Sequence, residues 1–150
     1  MTKTAHKPRV TIDTNVVISA IISPKSTASR LLTSWTEGNF QWIVTDELVA
    51  EIKTVLGRER IRRKYHISEQ DAASFLNNLA VATELVATLP PESLPVHARD
   101  PKDDIVLAAA LSGKSDTLIT GDADLLVLNG HAALGMLQIV KPADFLAGIR

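Results

Sequence analysis

The sequence predicts an α/β fold built on a mainly parallel, five-stranded sheet. Three observations lead there. Short β-rich segments alternate with segments of helical period along the chain. No repeat, low-complexity tract or long linker divides the 150 residues, the usual size of one domain. Hydrophobic residues make up 45% of the chain, enough for one core. A single domain over residues 1–150 is expected, with residues 1–8 as a flexible tail.

Each element has its own signal. Arg9–Asp13 (RVTID) is β-rich and reads as a buried strand. Val16–Ile22 reads as a short helix despite its β-branched residues. Pro24 interrupts it, and Ser26 can cap a second helix through Trp35. Phe40–Val44 is the second strand. Thr45 or Asp46 caps a helix to Leu56, with Gly57 as its stop. A basic helical stretch follows, and Ser68 then caps a helix reaching about Ala82. Glu84–Thr88 is the third strand, and Pro90–Pro101 is loop. Helix returns from Pro101 to Leu111 and stops at Gly113. Thr117–Thr120 and Leu137–Val140 are the last strands, and Pro142 starts a final helix.

Composition excludes several classes. There is no cysteine, so disulfides, zinc–thiolate sites and cysteine nucleophiles are ruled out. The 16 Lys and Arg balance 17 Asp and Glu, unlike a polybasic binder driven by counterion release. Met1–Arg9 is polar and basic without an apolar stretch, so no signal peptide is expected. Apolar runs such as Val16–Ile22 and Ile105–Leu111 are too short to span a bilayer. A cytoplasmic protein with no membrane partner is expected.

In parallel α/β folds, ligands sit beyond the carboxyl ends of the strands. Asp13 ends the first strand and begins the polar run Asp13-Thr14-Asn15. Its ordinary role would be a helix cap. Glu51 lies at the border of the apolar stripe of Leu48, Ile52 and Val55, where an unpaired carboxylate is costly. In Asp100-Pro101-Lys102-Asp103-Asp104, capping explains Asp100, and opposition to the helix dipole explains Asp103. Neither explains Asp104, which shares a face with Leu107, Ala108 and Leu111. Thr120-Gly121-Asp122-Ala123-Asp124 follows the fourth strand. A turn explains one of its acids but not both.

Four acids in comparable positions suggest one site. Packed together they repel, and a divalent cation removes that penalty. Oxygen ligands without Cys or an obvious His favour Mg²⁺ or Mn²⁺ over Zn²⁺. One or two such ions, about 4 Å apart when paired, suit in-line displacement at a phosphodiester.

These pieces resemble the PIN-domain family, and within it the toxin-like branch of bacterial toxin–antitoxin pairs. The matching residues are Val10–Val16, Glu47–Ile52, Asp100–Asp104, Thr120–Leu126 and Ile139–Leu146. The match runs in order from about Arg9 to Leu146. The resemblance implies a Rossmann-like three-layer α/β/α fold and a Mg²⁺- or Mn²⁺-dependent endoribonuclease. It implies Asp13, Glu51, Asp104 and Asp122 as metal-binding and catalytic acids, Asp124 as an auxiliary ligand, and Asn15 and Thr120 as supports. The choices between Asp103 and Asp104, and between Asp122 and Asp124, stay open. The branch also implies an RNA substrate, an antitoxin partner and a homodimer or higher homo-oligomer.

The basic cluster Arg58, Arg60, Arg62, Arg63 and Lys64 is either a solvated helix face or an RNA phosphate track. Two other functions fit the same fold: a non-catalytic module binding nucleic acid or protein, and a small-molecule phosphatase. An aspartyl phosphatase usually has a second Asp two residues after the first, where this chain has Asn15. Gly113-Lys114-Ser115 lacks the earlier glycine of a P-loop. Trp35 and Trp42 are expected in the core or at a subunit contact.

Overall fold

A computed structural model describes residues 7–148. Most of the expected tail, residues 1–8, lies outside the described residues. The strands are β1 (Arg9–Ile12), β2 (Gln41–Val44), β3 (Glu84–Leu85), β4 (Thr117–Ile119) and β5 (Gln138–Val140). The helices are α1 (Thr14–Ile22), α2 (Thr27–Thr36), α3 (Asp46–Leu56), α4 (Glu59–Lys64), α5 (Glu69–Ala82), α6 (Asp103–Ser112), α7 (Ala123–Leu126) and α8 (Pro142–Ala147).

The strands form one five-stranded sheet in the order β3-β2-β1-β4-β5, and every neighbouring pair is parallel. The chain first builds outward from β1 through β2 to β3. It then crosses back to add β4 and β5 on the other side. The order therefore reverses between β1 and β4, and in such sheets a crevice opens there beyond the carboxyl ends.

Alternate strand residues point to opposite faces and feed two cores. Val10, Ile12, Trp42 and Val44 pack with α1, α2, α3 and α5. Leu118 and Ile139 pack with α6 and α7. The result is the expected three-layer α/β/α arrangement. Helix α3 exists because Thr45 caps it, with its hydroxyl accepting from the Leu48 N–H at 3.2 Å, and because Leu48, Ile52 and Leu56 bury one face. Full burial of each such side chain contributes about 1.5–3 kcal/mol. Trp42 is buried and meets Trp35 edge-on at 4.8 Å, so both tryptophans belong to the core of this chain.

Helix α6 crosses the middle of the sheet. Ala108, Ala109 and Ala110 are all buried and let its backbone lie close to the strands. At Gly113, which ends it, a Cβ would collide with the Ile43 side chain. Three boundaries differ from the sequence expectation by two residues or more. Strand β3 keeps only Glu84–Leu85, because β3 is the outer strand beside β2 and pairs over two residues. Helix α1 begins at Thr14 rather than Val16. Helix α6 begins at Asp103 rather than Pro101, because Asp100 starts a separate turn. In that turn the Asp100 carboxylate accepts from the Lys102 N–H at 3.0 Å. Among the described residues, no helix is long and apolar enough to cross a membrane.

Candidate active site

The site follows from the pairing of β1 with β4. Ile12 is in register with Ile119, so the residues after each strand, Asp13 and Thr120, emerge side by side. The Thr120 hydroxyl, fully buried, donates to the Asp13 carboxylate at 2.7 Å. It also accepts from the Asp122 N–H at 3.0 Å. Asp122 in turn accepts from the Asp124 N–H at 2.8 Å and caps α7. One buried hydroxyl thus ties the ends of the two central strands together.

Asp103 enters this crevice from the first turn of α6. Asp103, Asp122 and Asp124 each offer a carboxylate oxygen, and these oxygens lie within 4.8 Å of one another. Asp103 Oδ2 is buried and has no hydrogen-bond partner. Burial, then repulsion from Asp122, Asp13 and Asp100, pushes the Asp103 carboxyl up to about 7. Burial also raises the Asp13 carboxyl. The Thr120 hydroxyl and Asn15 N–H work against that rise, while Glu51 and Asp122 add to it.

Asp13, Asp122 and Asp124 thus stand where the sequence puts them, at the strand ends. Glu51 on α3 is close enough to act on Asp13, and both lie outside the tight triad of Asp103, Asp122 and Asp124. Asn15 and Thr120 flank Asp13. Asp104 is not brought into the cluster. Its carboxylate accepts from the Ala98 N–H at 2.8 Å and meets His97 Nδ1 at 2.9 Å. Neighbouring residues on a helix point about 100° apart. With α6 starting at Asp103, that residue faces the strand ends and Asp104 faces the 97–98 loop. Asp104 is indeed an inward acid, but its partners belong to the fold. The sequence left the choice between the two open, and the start of the helix turns Asp103, not Asp104, toward Asp122 and Asp124.

The basic segment forms α4 with its flanks. Arg63 pairs with Glu59, and Arg62 lies 3.4 Å from Glu69. Among the described residues, Arg58, Arg60 and Lys64 have no carboxylate partner. His97, which the sequence left without a role, pairs with Asp104 rather than with the cluster.

The coordinates define a parallel-sheet protein with a carboxylate cluster beyond the ends of its central strands. A family model described as "PIN domain" matches residues 9–124, and the chain belongs to the PIN-domain family, whose members are generally nucleases. No curated protein matches the sequence. Among solved structures, one similar to this chain is the "Crystal structure of VapBC2 from Rickettsia felis bound to a DNA fragment from their promoter". It shares 13% identity, covers 89% of this chain and 98% of that one, and has a TM-score of 0.53. At that identity the likeness concerns the fold.

Proposed function

We propose that this chain is a Mg²⁺- or Mn²⁺-dependent endoribonuclease and the toxin of a toxin–antitoxin pair. The observation that carries the reading is the cluster of Asp103, Asp122 and Asp124, with a buried Asp103 oxygen that no protein group satisfies. Acids packed without a cation suit an oxygen-ligated divalent ion. Asp13, Asp103, Asp122 and Asp124 would hold it. When bound, such an ion supplies Lewis-acid stabilisation of a phosphodiester and activates water.

The residues of the chain do the rest. Thr120 fixes the Asp13 carboxylate through its hydroxyl and so keeps one ligand oriented. Glu51, facing Asp13, accepts a proton from or orients the attacking water. The unpaired cations Arg58, Arg60 and Lys64, with Arg62 and Arg63, guide the RNA backbone by charge. The same reading includes a small antitoxin partner, a homo-oligomer and a cytoplasmic place of action. The likeness to VapBC2 supports the partner, and the family supports the chemistry.

The test is cleavage of single-stranded RNA by the purified chain. We expect cutting with millimolar Mg²⁺ or Mn²⁺, none with EDTA, and none by Asp103→Asn. Hydrolysis of simple phosphate esters with no action on RNA would make it a phosphatase. Wild-type rates in EDTA would remove the metal from the reading.

A further inference from the structure

We propose that the recess beside the acid cluster is a nucleobase subsite, holding the base next to the phosphate that is cut. The proposal rests on the ribonuclease reading and deepens it. The recess has a volume of about 400 Å³, within the about 300–1,000 Å³ of small-ligand sites. It opens directly from Asp13 and Asp122 and runs between α1 and α2. Anything filling it stays within reach of the carboxylates.

Its walls suit a base. Val16 and Ala28 form a buried apolar floor, 6% and 7% exposed. Asn15 and Ser19 form an exposed polar rim. A base presents an apolar face and a polar edge, and an Asn amide supplies a donor and an acceptor side by side for that edge. Among the described residues no aromatic side chain lines the recess, so recognition there is by shape and edge rather than by stacking.

Gly121 supplies an independent argument. Its φ lies outside the left-handed region, so the backbone does not require glycine. A Cβ built there meets nothing within 4 Å, so packing does not require it either. Gly113 is the contrast, since neighbouring Ile43 leaves it no room for a side chain. A glycine that the fold does not need, on the wall of a cavity next to the acids, fits close approach by a ligand. Filling that space with a side chain would compete with the base.

The test compares the full chain with Ser19→Phe and Gly121→Val, each of which narrows the recess from a different wall. The four nucleoside 5′-monophosphates are titrated into the Mg²⁺-loaded protein, and backbone amide shifts are followed by NMR. We expect saturable shifts at Ser19, Ala28 and Gly121 that differ among the four bases and vanish in both variants. In cleavage, each variant is expected to lose at least about tenfold in kcat/KM and to flatten the nucleotide preference at one position beside the cut. Both should still bind Mn²⁺. Variants with wild-type kcat/KM and unchanged preference, or nucleotide shifts confined to other surfaces, overturn the subsite. In a chain that does cut RNA those outcomes overturn the subsite alone, whereas a wild-type chain that neither binds Mn²⁺ nor cuts RNA overturns the nuclease reading and the subsite with it.

Discussion

The two edges of the sheet treat their acids in opposite ways. At the amino edge, Arg9 makes a two-point contact with Glu84, at 3.0 and 2.8 Å. It also donates to the Gly113 carbonyl, and its own N–H meets the Asp116 carboxylate at 2.8 Å. The guanidinium holds the Glu84 carboxyl below its usual range, and Glu84 raises Arg9. At the carboxyl edge, Asp13, Asp103, Asp122 and Asp124 have no cation among the described residues, and Asp13 and Asp103 are pushed up. The amino-edge acids are satisfied by the chain and serve the fold. The carboxyl-edge acids have hydrogen-bond donors but no countercharge among the described residues, which is costly unless a cation completes them.

The widest separation between the edges should come from Asp103. Asp103→Asn is expected to lower RNA cleavage by more than about a hundredfold, beyond the tenfold to hundredfold typical of groups that only support a ligand. Thr120→Val comes next. It removes the hydroxyl that orients Asp13, and metal affinity measured by calorimetry should fall about tenfold to a hundredfold. Unchanged affinity would mean that Asp13 needs no such anchor.

Asp104→Ala should act on the fold. It leaves the Ala98 N–H without its partner and should cost about 1–3 kcal/mol in denaturant unfolding, with Mn²⁺ binding retained. Loss of Mn²⁺ binding in a folded Asp104→Ala protein would return Asp104 to the site. The smallest effect is expected at the amino edge. Glu84→Gln removes a pair that is 31% and 43% exposed, so solvent screening limits its loss to about 0–1 kcal/mol. The folded-state carboxyl of Glu84 lies below its unfolded value. Its contribution is therefore complete above the ordinary glutamate range and disappears as pH falls through the lowered value.

The carboxyl edge should show the reverse pH trend. Asp103 titrates near 7 in the folded chain and near the ordinary aspartate value of about 3.9 when unfolded. Between those values the folded state holds a proton that the unfolded state has lost, so metal-free stability falls as pH rises from 5 to 7. Asp103→Asn should flatten that slope in melting experiments. An equal slope in the variant would assign it to another group.

Much of the fold was legible because its signals are local. The β-rich runs at Arg9, Phe40, Thr117 and Leu137, and the caps at Ser26, Thr45 and Ser68, each act through nearby residues. The placing of Asp13, Asp122 and Asp124 at the strand ends was legible from the rule that parallel sheets bind ligands there. The choice of Asp103 was not, because it turns on where α6 begins, and the Asp100 turn moves that start by two residues. The Arg9–Glu84 pair, 75 residues apart in sequence, was hidden for another reason: their meeting depends on strand order. Gly121 read only as a turn glycine, and its open space needs coordinates to be seen.

The most direct test is a crystal soaked in millimolar Mn²⁺ and measured at a wavelength where manganese scatters anomalously. An anomalous peak is expected, bounded by Asp103, Asp122 and Asp124, with Asp104 still turned toward His97. A protein that shows no peak there, or one that gathers manganese around Asp104 instead, would contradict it.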